Sequence, residues 1–313
     1  MPVPVTLNFK RDLREFIVAQ LDETCLNSQL NIYPEKNQLT KLQEAQDIPV
    51  LLSYVNWRNR LFLGRKRLVI LSKELYNNAF YSRYKKEIQN LKLIFESGGN
   101  NIRPFLSTKV NDLLYNDGLL RDWGLHHIHF VPAITPKKRT NEILFIMERP
   151  DSIYFIDIFS HDDWVNLRSL EIIHRNWPET IEQFILKGIT PDIFTDEALK
   201  TLRKKNVSYT IGLDGNAYAP TLNPNSKLST VIKTSHLLAF IEELEQVILH
   251  DIHNIQQQIQ CKTNTTLTEL NFELVFFPKE KKVLVNDKIL DRTIDFGKNL
   301  TDLNQLLINL NVF

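Results

Sequence analysis

A chain of 313 residues, 43% hydrophobic and 24% charged, can bury one large core or two smaller ones. Its 38 Lys and Arg against 37 Asp and Glu leave a net charge of +1, which excludes steering of the whole protein to nucleic acid or membrane, so any such attraction is local. Cys25 and Cys261 alone exclude a disulfide framework or a cysteine-rich metal site, and with no 18-residue apolar run or export leader a cytoplasmic protein with no membrane partner is expected.

Residues 3–9 alternate weakly and predict a short strand. Asn8 or Asp12 then caps a helix to about Leu21, with Leu13, Phe16, Ile17 and Leu21 on one face. Residues 26–48 are polar and predict a loop with one short helix at 39–45. R-L-V-I-L-S (67–72) reads as a buried strand. Ser72 caps a helix running to about Glu96, which stops at Gly98-Gly99. Residues 56–90 hold nine Lys and Arg against two Glu, interleaved with Trp57, Phe62, Tyr76, Phe80, Tyr81 and Tyr84. Cations among aromatics suit phosphate contacts and base stacking, so Arg58, Arg60, Arg65, Lys66, Arg67, Arg83, Lys85 and Lys86 are candidate nucleic-acid-binding residues. The bland alternative is a solvated helix face with its aromatics turned inward.

A helix from Ser107 or Thr108, ending near residues 116–118, leads to the densest stretch. Residues 122–178 contain five of the eight histidines and three of the four tryptophans. L-H-H-I-H-F-V predicts a strand with His127 and His129 on one face and His126, Ile128 and Phe130 on the other. A basic loop (132–140), E-I-L-F-I-M-E, a turn and I-Y-F-I-D-I-F-S complete an antiparallel meander. A helix from Trp164 follows, placing Leu167, Leu170, Ile173, His174 and Trp177 on one face, and Pro178 ends it. Short helices at 179–187 and 196–204 come next, then a hairpin turning at Asp214-Gly215 and a loop at 223–226. A long helix from Thr234 to about Gln260, a second hairpin (266–285) and a last helix (301–310) close the chain.

The meander concentrates chemistry. One sheet face can gather His127 and His129 with either Asp157 and His161 or Ser160, according to register, and Arg139 lies just before the middle strand. Imidazoles move protons at cell pH and arginine holds phosphate. His127, His129, Arg139 and His161 are therefore the candidate catalytic residues for cleavage of a phosphodiester without metal or other cofactor. The same histidines with Asp157, His161 or Asp162 allow a metal site, and the competing reading is that they are structural. Arg168 and His174 have the R-x(4–6)-H spacing of HEPN ribonucleases, but His174 lies on an apolar stripe. His250 and His253 are a weaker metal pair. No Gly-rich phosphate loop, H-E-x-x-H or G-x-S-x-G is present, which argues against P-loop NTPases, dinucleotide dehydrogenases and serine hydrolases of those types.

The phrases N-W-R-N-R-L-F-L-G-R-K-R-L-V-I-L-S-K-E-L, I-R-P-F-L-S, D-W-G-L-H-H-I-H-F, Y-F-I-D-I-F-S-H-D-D-W, I-I-H-R-N-W-P and G-N-A-Y-A-P resemble an uncharacterised family of bacterial proteins over about residues 50–245. That resemblance carries no activity with it. Residues 122–163, as strand, basic loop with Arg139, strand, turn and strand ending in His161, also look like the meander of RelE-type messenger-RNA-cleaving toxins. Those enzymes are shorter and lack this histidine cluster and the flanking helices. The likeness implies metal-free RNA cleavage on a basic sheet face, by analogy of fold.

The expected fold is α+β, with small antiparallel sheets, a central three-strand meander among them, flanked by helices. Along the chain it divides into a mainly helical part with the basic segment (1–115), the meander with its helix (116–190) and a C-terminal α+β part (191–313). The expected function is nucleic-acid-acting, as a metal-independent endoribonuclease of a toxin or phage-defence type, with RNA or DNA and a neutralising protein as partners. The alternatives are a non-enzymatic nucleic-acid- or protein-binding module and a metal-dependent hydrolase.

Overall fold

A computed structural model describes residues 3–26, 47–62, 64–99, 101–115, 117–133, 139–161, 163, 167–191, 194–205, 207, 209–220, 227–263, 267–294, 296–310 and 312. The helix expected at 39–45, the loop at 223–226, and Asp162 and Trp164 lie outside these residues. The fold is α+β, with small mixed and antiparallel sheets flanked by helices. In chain order the strands are β1 (Val5–Leu7), β2 (Leu68–Leu71), β3 (Leu125–His129), β4 (Glu142–Glu148), β5 (Ser152–Ser160), β6 (Ile185–Leu186), β7 (Ile211–Leu213), β8 (Asn216–Tyr218), β9 (Leu270–Phe277), β10 (Lys282–Asp287) and β11 (Arg292–Ile294). The chain separates into two units: Met1–Ser28 with Tyr33–Val55 and Val231–Phe313, and Gln29–Ile32 with Asn56–Thr230. The first unit combines both ends of the sequence.

In the first unit β1 pairs parallel with β9, and β10 and β11 follow antiparallel. The helix Phe9–Leu26 begins at the expected cap: Asn8 Oδ1 accepts from the Arg11 N–H at 3.0 Å. Its Leu13, Ile17 and Leu21 are buried, and Phe16 stacks on Phe276 with ring centres 4.3 Å apart. Asp12 is buried on the same helix and accepts the Leu274 N–H at 2.9 Å, tying helix to sheet. The long helix expected from Thr234 is two helices, Lys227–His250 and Ile252–Thr263, parted at Asp251.

The second unit is built on the four-stranded sheet β2-β5-β4-β3. Strands β3, β4 and β5 form the expected meander, and β2 adds to its far side parallel to β5, with Leu68 opposite Ser152. Both faces are covered, which is why β4 and β5 read as nearly unbroken apolar runs. Ile128, Phe130, Leu144, Ile146 and Phe155 pack under the helix Tyr81–Glu96 through Tyr84, Ile88 and Phe95. On the other face Leu125, Ile143, Phe145 and Phe159 meet Leu170 and Ile173 of the helix Arg168–Asn176. A register shift between Phe145 and Ile146 pairs Phe145 with Asp157 and Ile146 with Phe155, leaving Ile156 as an extra residue. This β-bulge reverses the alternation of β5. Ile153, Phe155 and Ile158 face one core, and Ile156 and Phe159 the other.

Local chemistry explains where helices depart from expectation. Ser72 caps as expected, its Oγ accepting from the Leu75 N–H at 2.9 Å. The helix it starts, however, ends at Asn77, and a second runs Tyr81–Glu96. Asn78 makes the break: its Nδ2 donates to Asp157 Oδ1 (2.7 Å) and the Ile158 carbonyl (3.1 Å), while its Oδ1 accepts from the Phe80 N–H (2.9 Å). The helix expected over 107–116 is a short 3₁₀ turn, Thr108–Asn111. The true helix, Gly118–Trp123, starts where that one was expected to stop. Asp117 caps it by accepting from the Leu119 and Leu120 N–H groups, both at 3.1 Å. The helix expected over 179–187 is two 3₁₀ turns and strand β6, whereas Asp196–Lys204 and the hairpin β7–β8 form as expected. Asp214 and Gly215 supply the left-handed φ values of that turn, +48° and +74°.

Candidate functional site

His127 and His129 lie two apart on β3, the edge strand of the second unit's sheet, and their side chains share the face that carries Phe145 and Ile143. His161 follows the end of β5, its N–H donating to the Asn141 carbonyl at 2.8 Å. The bulge at Ile156 puts Asp157, Phe159 and His161 in phase with this face. The three imidazoles converge across β4. Ring centres are 5.9 Å apart for His127 and His129, 5.8 Å for His127 and His161, and 5.6 Å for His129 and His161. One ring nitrogen from each lies within 4.8 Å of the other two.

The environment holds two of the three neutral. Burial, then the Arg139 charge and the neighbouring imidazoles, push His129 down to about 3. His129 is 5% exposed, and its Nδ1 has no hydrogen-bond partner among the described residues. Burial likewise lowers His127, opposed by Asp117, whose Oδ2 lies 3.8 Å from His127 Nδ1. His161 is exposed. Asp117 is a neighbour that sequence reading missed. Its signal was present: an Asp just before G-L-L is a helix N-cap, but N-D-G was taken as a helix end.

Arg139 is braced rather than extended. Its Nη2 donates to the Pro104 and Leu106 carbonyls at 3.0 and 2.8 Å, and its Nε is buried with no partner among the described residues. Its charge still acts on His127 and His129. Other sequence candidates lie elsewhere. Asp157 is fully buried and accepts from Arg168 (2.6 Å), Asn78 and its neighbour Ile158 N–H, so it ties helices to the sheet. His126 faces the opposite core against Phe62, and burial lowers it to about 4. His174 bridges the Tyr218 hydroxyl (3.1 Å) and Asp214 Oδ2 (3.0 Å). Beside β3 a small cleft is lined by Arg60, Ser107, Tyr115, Asp117, His126 and His127.

The eight candidate cations divide by burial. Arg60 is 5% exposed, and its guanidinium donates to the Lys109 (2.8 Å) and Asp112 (2.7 Å) carbonyls and lies over the Tyr115 ring. Arg67 is 3% exposed and pairs with Glu148 at 2.5 Å. Both are turned inward as clamps. Arg65, Lys66, Lys85 and Lys86 are exposed and Arg58 is half-buried. Arg83 is 61% exposed, lies over the Tyr84 ring and comes within 3.9 Å of Glu142 Oε1. Tyr76 and Phe80 are exposed near it, with Tyr76 5.3 Å from the Tyr81 ring. Glu142 opposes Ser160, next to His161, so Arg83 reaches the same end of the sheet as the histidines.

No protein-family model, curated protein or solved structure matches the chain. Among the described residues no helix is long and apolar enough to cross a membrane.

Proposed function

We propose that the protein binds nucleic acid and cleaves its phosphodiester backbone at His127, His129 and His161. One observation carries this reading: three imidazoles converge at the end of the sheet that Arg83 reaches through Glu142. The strip running back from Arg83 offers the exposed cations Lys85 and Lys86 and the exposed aromatics Tyr76 and Phe80. Cations track a phosphate backbone, and unpaired bases stack on aromatic rings, so a single strand is the form that suits the strip.

The chemistry differs from a simple acid–base pair. A general acid must carry its proton at working pH, and His127 and His129 are held neutral by burial. His161 is the exposed member of the trio. Arg139 supplies a fixed positive field beside the trio, suited to a phosphate whose charge grows in the transition state.

Labelled single-stranded and duplex RNA and DNA, incubated with the protein with and without divalent ions, test the reading. Cleavage of a single strand that is lost in His129→Ala and His161→Ala supports it. Salt-dependent binding without cleavage under any metal condition makes the protein a non-enzymatic binding module instead. Absence of binding at low salt ends both.

A further inference from the structure

We propose that His127, His129 and His161 form a mononuclear site for a divalent first-row transition ion such as Zn²⁺. The proposal deepens the function above by naming the cofactor of the same centre. Each residue presents one nitrogen, and the three nitrogens already lie within 4.8 Å of one another, so small side-chain rotations close the set. An all-imidazole set suits zinc, copper, nickel or iron and not the oxygen-seeking Mg²⁺ or Ca²⁺. Three protein ligands leave a fourth position open, as catalytic rather than structural zinc sites do.

Two features beyond proximity point to a ligand. The first is the His129 Nδ1, on a side chain more than nine-tenths buried, with no partner among the described residues. Leaving a buried ring nitrogen unpaired is costly, and a bound ion or its water removes that cost. The second is Asp117. With His127 Nδ1 facing the Asp117 carboxylate at 3.8 Å, Nε2 is the nitrogen left for an ion. At 3.8 Å that carboxylate is beyond hydrogen-bond reach and acts through its charge, which favours a cation nearby.

Arg139 opposes a bare cation, because its positive field reaches both strand histidines. It favours what the ion carries: a metal-bound hydroxide or a phosphate oxygen is anionic, and the Arg139 Nε is buried without a partner among the described residues. At the open position a bound water gives its proton to solvent, and the resulting hydroxide attacks phosphorus. The P–O bond to the leaving oxygen breaks, and that oxygen takes a proton.

The test uses untagged full-length protein stripped with a chelator and titrated with Zn²⁺ by calorimetry, with Co²⁺ absorption as a second readout. The expected result is one ion per chain, with affinity falling in His129→Ala and His161→Ala by more than the roughly 100-fold upper bound for loss of an outer-shell partner. His161 is exposed, so its variant keeps the fold, and circular dichroism of both variants checks this. No binding above that of the His127/His129/His161 triple-alanine protein, or binding unchanged in His161→Ala, overturns the proposal. Binding is measured without nucleic acid. A metal-loaded protein that cleaves nothing therefore ends the phosphodiesterase reading and leaves the metal site standing, and a protein that cleaves but binds no ion does the reverse.

Discussion

The division of the basic segment into buried and exposed cations makes a sharp prediction about nucleic-acid binding. Arg83, Lys85 and Lys86 project to solvent from one helix, so replacing all three with Gln removes up to three phosphate contacts and, inside the protein, only the 3.9 Å approach of Arg83 to Glu142 and its packing over the Tyr84 ring. Each lost contact to a single strand flattens the slope of log affinity against log salt by about 0.7, so the triple variant loses roughly 2 from the slope. Over an about fourfold rise in salt the native protein then weakens roughly 16-fold more than the variant. Arg60 is the contrast. Its guanidinium holds the Lys109 and Asp112 carbonyls and, at 3.4 Å, that of Asn56, and Arg60→Met removes these three charged-donor bonds at a cost of roughly 3 kcal/mol or more. Burial brings Arg60 down only to about 10, so it is charged at neutral pH and its inward role is a matter of geometry, not charge state. Anisotropy titrations with a labelled single strand across a salt series, paired with urea melts, read both effects. An unchanged slope in the triple variant, or an Arg60→Met slope that flattens without loss of stability, would refute the assignment of strip and clamp.

Three further outcomes follow from particular contacts. Asp157→Ala strands the Ile158 N–H and takes one of the two acceptors of the Asn78 Nδ2, and should cost roughly 3 kcal/mol, whereas Arg168→Ala removes a half-exposed partner and should cost under about 1 kcal/mol; equal losses in urea unfolding would mean that the ion pair, not the N–H groups, holds the carboxylate. Burial lowers His126 to about 4, below its unfolded value near 6.5, so the unfolded chain takes up the proton first. Its contribution is therefore complete above about pH 6.5 and is lost towards pH 4, worth roughly 3 kcal/mol in chelator-stripped protein, and a His126→Phe variant that keeps the same acid dependence removes His126 as its source. His129→Leu deletes the partnerless ring nitrogen and should raise the stability of metal-free protein by roughly 1 kcal/mol while weakening Zn²⁺ binding as His129→Ala does; a clear loss of stability in melting experiments would show that the imidazole is satisfied in the fold.

What the sequence disclosed and what it withheld have physical reasons. Signals made by one residue acting on its neighbours were legible: the Asn8 and Ser72 caps, the Asp214-Gly215 turn and the alternation that separates His126 from His127 and His129. Pairing between distant stretches was not. The parallel join of β2 to β5 brings together residues more than 80 positions apart, and no local pattern encodes it. Burial of a cation was equally hidden, because Arg60 and Arg67 look like Arg65 and Lys66 until their carbonyl and carboxylate partners are in place. Asn78 looked like one more residue of a helix, since its competing acceptors, Asp157 and the Ile158 carbonyl, arrive from another strand.

The bulge at Ile156 is the most consequential of the hidden features. Strict alternation from Ile153 would place residues 157, 159 and 161 with Phe155, on the face under the helix Tyr81–Glu96. The extra residue reverses the phase, so Phe159 packs with Phe145 on the opposite face, and His161 comes 5.6 Å from the His129 ring. A one-residue change of register moves every following side chain to the other side of a sheet. The histidine centre therefore depends on a backbone irregularity as much as on its three side chains. Deleting Ile156 would remove the extra residue and leave Phe145 opposite Asp157 in an unbroken ladder, so His161 would keep the face of His127 and His129, whereas strict pairing with Ile156 retained would move it away.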